Sequence, residues 1–81
     1  MHAARLSTSK RLQDALRALQ SAAPGELSTR DIIMRTGVCA VNAVIAELRD
    51  NGAKIACRQE CRDGRRVFFY RLDEAPEDWN E

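Results

Sequence analysis

The sequence predicts an α+β fold in which three helices are followed by a two-stranded β-hairpin, and three observations carry that reading. Apolar residues recur at helical spacing from Leu12 to Leu48. The pairs Thr36-Gly37 and Asn51-Gly52 interrupt that stretch where helices would stop. From Lys54 the period changes to two and continues to Leu72 around a central Asp63-Gly64. At 81 residues the chain is expected to build one core, with no second domain.

The first helix is expected over residues 8–23, "TSKRLQDALRALQSAA". Leu12, Ala15, Leu16 and Leu19 make one apolar stripe, Ser7 and Ser9 offer N-caps, and Pro24-Gly25 stops the helix. Ser28 caps the second helix, with Asp31 three residues on as a short version of the reciprocal capping box. Ile32 and Ile33 are expected to point inward with Met34 beside them, and Gly37 suits the left-handed turn into the third helix. That helix is expected from Cys39 to Asn51, buried along Val41, Ile45 and Leu48 with Val44 on the flank. In the hairpin, Phe68, Tyr70 and Leu72 form the expected buried face, and Val67, Phe69 and Arg71 the opposite one. The expected organisation is a flexible segment 1–7, a domain over 8–72 and an acidic tail over 73–81, with Trp79 available to dock on the body.

The net charge of +1 conceals an uneven distribution. The tail "DEAPEDWNE" carries five acids and no base, so residues 1–72 hold thirteen bases against seven acids. Residues 54–71 concentrate this surplus in Lys54, Arg58, Arg62, Arg65, Arg66 and Arg71 against Glu60 and Asp63. A basic hairpin followed by an acidic tail implies an anionic partner. Residues 1–20 carry charges throughout and no long apolar run occurs, so neither a signal peptide nor a membrane span is expected and the compartment is expected to be the cytoplasm. Cys39, Cys57 and Cys61 are an odd number, which argues for reduced, partly buried thiols rather than a disulfide framework. On one strand Cys57 and Cys61 would lie roughly 13 Å apart, too far to share a metal ion. No cofactor is expected. Neither is catalysis, because His2 is the single histidine and no nucleophile–base pair, phosphate loop or paired carboxylate site occurs.

Three helices and a closing hairpin in this order form a winged helix-turn-helix. The run "TGVCAVNAVIAELRDNGAKI", followed by "YRL", resembles the small helix-turn-helix domains of phages and prophages. The resemblance covers residues 8–72 and implies a winged-helix DNA-binding module of regulatory role. Gly37, Ile45, Leu48, Gly52, Tyr70 and Leu72 match its turn, core and closing strand. The chain departs from it at Cys39, Ala40, Val44 and Asp50, where the resemblance would place a capping serine, two arginines and a lysine.

The expected double-stranded DNA interface follows. With Val41, Ile45 and Leu48 inward, the third helix presents Cys39, Asn42, Ala43, Ala46, Glu47 and Asp50, with Ala40 at the edge. Asn42 is the base reader, able to pair bidentately with adenine, while Ala43 and Ala46 offer contacts to thymine methyls. Glu47 and Asp50 would repel phosphate. Thr29, Arg30, Arg35, Lys10 and Arg11 on the helices, and Arg58, Arg62, Arg65 and Arg66 on the hairpin, supply the expected backbone contacts. An equally consistent reading makes the smooth face of Ala40, Ala43, Val44 and Ala46 an association surface for a homodimer or a host protein.

Overall fold

A computed structural model describes residues 5–77 and Trp79. The elements are α1 (Lys10–Ala22), β1 (Leu27–Ser28), α2 (Thr29–Thr36), α3 (Val41–Asp50), β2 (Lys54–Arg62) and β3 (Arg65–Glu74). The expectation of three helices followed by a two-stranded hairpin is corrected in one respect. The sheet has three antiparallel strands in the order β1-β3-β2, and its first strand lies between α1 and α2. Leu27 pairs with Tyr70 and Ser28 with Phe69, so β3 becomes the central strand. Two residues are too few to show a period of two. In addition, Ser28 carries the cap signal of the helix that follows it.

The local chemistry of each helix end accounts for the rest of the path. Ser9 accepts a hydrogen bond from the Leu12 N–H and opens α1. At α2 the capping box is complete: the Asp31 N–H donates to Ser28 Oγ and the Ser28 N–H to Asp31 Oδ2, both at 3.0 Å. Gly37, at φ +76°, closes α2 in the left-handed region and donates its N–H to the Ile33 carbonyl. α3 begins later than expected. Ala40 is its N-cap, without a side-chain cap, and the Cys39 thiol donates instead to the Gly37 carbonyl at 3.8 Å.

The core collects Leu12, Leu16 and Leu19 from α1, Ile32 from α2, and Val41, Val44, Ile45 and Leu48 from α3. The sheet closes it with Leu27, Ile55, Tyr70 and Leu72. Val44, expected on the flank, is fully buried. Met34, expected beside the inward isoleucines, is 75% exposed, because Ile32 and Ile33 already occupy the inward arc of a two-turn helix. Packing also extends beyond residues 8–72. Leu6 is buried in the core, and its N–H donates to Asn51 Oδ1 at 3.1 Å. Trp79 donates from Nε1 to Gln20 Oε1 at 2.9 Å, under the Arg17 guanidinium 5.3 Å from its ring centre. The remainder of the expected flexible segment (residues 1–4) and of the acidic tail (residues 78, 80 and 81) lies outside the described residues. Among the described residues no helix is long and apolar enough to cross a membrane.

The capping box makes a testable statement about acid stability. The Ser28 backbone N–H first, and the Ser28 side chain after it, hold the Asp31 carboxyl below the usual carboxylate range. A depressed folded value contributes stability that is complete above the unfolded value and lost as pH falls through the folded one. Ser28→Ala should cost about 1 kcal/mol at pH 7, as loss of an N-cap does. Asp31→Asn should destabilise at pH 7 and by progressively less towards pH 2, measured by urea denaturation. A penalty independent of pH would show that the carboxylate is not the contributing form.

Candidate nucleic-acid interface

The face of α3 turned to solvent carries Asn42, Ala43, Ala46, Arg49 and Asp50, all exposed. Arg49 is not among the residues expected on this face. It lies seven residues after Asn42, two turns along the same stripe, and that spacing is the signal that could have found it. Asn42 and Arg49 line a groove of about 260 Å³ between α3 and the sheet, whose other walls are Ile45, Cys57, Phe68 and Tyr70. Arg49 is held there by donating from Nη2 to the Ile55 carbonyl at 2.8 Å. Glu47, expected to repel phosphate, is half-buried and bridged to Arg11 Nη2 at 2.6 Å, so its charge is compensated within the protein. Arg11 is thereby engaged, as is Lys10 by Asp14 at 2.8 Å.

Tyr70 ties this groove together. Its ring is buried in the core, and its hydroxyl donates to Asn42 Oδ1 at 2.9 Å. Burial pushes the phenol above its ordinary value, with the Thr29 hydroxyl beside it offsetting part of the effect. The strand that closes the fold therefore also holds the polar side chain of the candidate reading helix.

Pairing in the hairpin divides its arginines between two faces. Cys57 opposite Tyr70, Gln59 opposite Phe68 and Cys61 opposite Arg66 share the face turned towards the helices. Arg58 opposite Phe69, Glu60 opposite Val67, and Arg62 opposite Arg65 share the other. On that outer face Arg58 bridges Glu26 at 2.8 Å and also pairs with Glu60, while Arg62 bridges Glu60 at 2.8 Å. Both guanidinium groups lie over the Phe69 ring, at 4.4 and 5.2 Å from its centre. The Arg58 hydrogen bond holds the Glu26 and Glu60 carboxyls below their usual range, and those carboxylates raise Arg58 in return. Arg58 and Arg62 thus belong to a mutually neutralised cluster facing away from α3. Arg71 is likewise paired, with Asp73 at 2.6 Å.

Arg66, one residue out of phase with Arg65, falls on the inner face. With Arg30 it rims a second cleft, of about 380 Å³, whose apolar walls are Ile33, Met34, Val67 and Phe68. Phe68 is shared by the two hollows, which places Thr29, Arg30, Asn42, Arg49 and Arg66 around one surface. Arg30, Arg65 and Arg66 have no ion-pair partner among the described residues, Arg65 standing exposed beside the tip. Arg35 is set apart, donating to Ser21 Oγ at 3.4 Å on the α1 side. Ala40 and Ala43 line a third hollow, of about 510 Å³, facing Lys10 and Arg11 of α1, and Ala46 projects from the centre of α3. Of the expected interface residues, then, Thr29, Arg30, Asn42 and Arg66 are gathered, and Arg35, Arg58 and Arg62 are directed elsewhere.

The cysteines also depart from expectation: Cys39, Cys57 and Cys61 are all exposed rather than partly buried. Cys57 and Cys61 lie on the helix-side face of β2, Cys57 in the open groove beside α3 and Cys61 near the hairpin tip. Among the described residues no group of three or more His, Cys, Asp or Glu side chains could hold a metal ion. No protein-family model, curated protein or solved structure matches this chain.

Three exposed thiols should all react with a disulfide exchange reagent in the folded protein. The expected stoichiometry without denaturant is three per chain, measured by thionitrobenzoate release. One or two equivalents, rising to three in denaturant, would mean that at least one thiol is covered in solution.

Proposed function

We propose that this protein binds double-stranded DNA through α2 and α3, with the inner face of the β2–β3 hairpin beside them. The observation that carries this reading is the partition of charge. Arg30 and Arg66 stand together beside the Asn42–Arg49 surface with no ion-pair partner among the described residues, whereas Glu26, Glu47 and Glu60 are each paired with an arginine. Two unpaired guanidinium groups gathered at one cleft beside an exposed helix favour a phosphate backbone running along that side of a groove. The protein acts as a binder, without catalysis or a cofactor. The likeness of "TGVCAVNAVIAELRDNGAKI" to phage helix-turn-helix domains supports a cytoplasmic transcriptional regulator of a phage or other mobile element.

A second reading, an association surface for a homodimer or host protein, draws on the hollow lined by Val38, Ala40, Ala43 and Val44 between α1 and α3. Small side chains there permit close approach of another helix. One substitution separates the two readings. Ala43→Arg should be neutral or favourable for DNA, because it adds a phosphate donor. It should abolish a helix contact by bulk and charge.

Electrophoretic mobility with random duplex DNA tests the leading reading directly, and no retardation at low salt would refute it. The charge partition adds a quantitative expectation. Arg30→Ala with Arg66→Ala should flatten the log–log dependence of affinity on salt by about two units, one for each phosphate contact removed. Arg71→Ala, on the outer face and already paired with Asp73, should leave that slope unchanged. Equal effects of the two changes would mean that the net charge, not this surface, governs binding.

A further inference from the structure

The orientation of the Asn42 amide bears on which base the proposed DNA surface reads. Asn42 is exposed, yet its carbonyl oxygen is engaged by the Tyr70 hydroxyl at 2.9 Å, from beneath the helix. A phenol has one proton, and giving it to Asn42 requires an acceptor, which the amide NH2 is not. Oδ1 is therefore turned towards β3, and the two N–H donors of Nδ2 are turned towards the open groove.

Adenine recognition by asparagine uses both ends of the amide, Oδ1 accepting from N6 and Nδ2 donating to N7. Oδ1, turned towards Tyr70, does not face an adenine N6 in the groove, and the first half of that pair is not presented. The other polar side chain in the groove, Arg49, is solely a donor, and its tether to the Ile55 carbonyl leaves further N–H groups free. Two donors facing a major groove match the base whose edge carries two acceptors. Guanine presents both N7 and O6, whereas adenine presents one acceptor and one donor.

Building on the DNA-binding reading, we infer that the groove between α3 and the sheet selects guanine over adenine, and that Tyr70 sets this choice as a positioning residue by holding Asn42 with its donors outward. Tyr70 does not itself meet the base. Its hydroxyl decides which end of a neutral amide does.

Selection of bound duplexes from a randomised library, run at one salt concentration on the full chain, tests this. The native protein should enrich guanine at the position read by Asn42. Tyr70→Phe keeps the ring in the core but releases Oδ1, and should move the preference at that position towards adenine by about tenfold, within the range of one bidentate contact. Affinity for random duplex should change little, since phosphate contacts supply it. Asn42→Asp, which replaces the outward donors by acceptors, should remove the guanine preference whether or not the Tyr70 variant folds. Enrichment of adenine by the native protein, an unmoved preference in Tyr70→Phe, or retained guanine in Asn42→Asp would overturn the inference while leaving DNA binding intact. Absence of binding to any duplex at low salt would overturn both together.

Discussion

The central place of β3 in the sheet is the constraint on which the remaining structure depends. β3 is paired on both edges, by β2 from Arg65 to Glu74 with one register shift and by β1 at Phe69 and Tyr70 alone. Its side chains alternate, so Tyr70 and Leu72 enter the core between the helices while Phe69 and Arg71 face outward. Because Leu27 is paired with Tyr70, the chain leaving α1 is fixed at the level of the core, and Ser28 is placed where it begins α2. The position of α2 then determines where Gly37 turns the chain, and hence where α3 lies. A two-residue pairing thus orients a helix that follows it by more than ten residues.

The second organising feature is how the carboxylates are distributed. An exposed ion pair contributes little to stability, of the order of 0–1 kcal/mol, so the pairs on this surface are better understood by what they remove from the field. Arg11 cancels Glu47 at the flank of α3, and Arg58 with Arg62 cancels Glu26 and Glu60 behind the sheet. Among the described residues of the surplus, Arg30, Arg49, Arg65 and Arg66 stand without an ion pair on the α2–α3 and hairpin side, and Arg5 and Arg35 elsewhere. Asp50 and Asp63 remain as exposed acids at the C-terminal end of α3 and at the hairpin tip, and the exposed Asp31 is engaged by Ser28 in the capping box. A surface of mixed sequence composition consequently acquires a local sign that composition alone does not reveal.

Most of the fold was legible because its signals are local. The stripe of Leu12, Leu16 and Leu19, the Ser28–Asp31 box, the left-handed Gly37 and the Asp63-Gly64 turn each depend on residues a few positions apart. β1 was not legible, since its single ladder partner is more than forty residues away and its two residues carry no pattern. Met34 was misplaced because an eight-residue helix buries a narrow arc, which the two isoleucines fill. At the candidate site, Thr29, Asn42, Arg30 and Arg66 were identifiable by residue type. What they contact was not, because the Tyr70–Asn42 and Arg11–Glu47 contacts join residues 28 and 36 positions apart.

The division of the hairpin arginines shows how such long-range outcomes can rest on a short-range cause. Asp63 and Gly64, at φ +50° and +76°, form a two-residue turn that places Arg62 directly opposite Arg65. That register puts Arg58 and Arg62 on the outer face with Glu60, and Arg66 on the inner face with Phe68. A slip of one residue on either strand would exchange the faces, turning Phe69 inward and withdrawing Arg66 from Arg30. Tyr70 and Leu72 oppose the slip, because moving them to the outer face would expose two core residues and separate Tyr70 from Asn42. The charge presented beside α3 is therefore fixed at one end by a turn that only a left-handed backbone can make, and at the other by the burial of two side chains. Neither determinant is itself an arginine, and together they decide which arginines remain available to a partner.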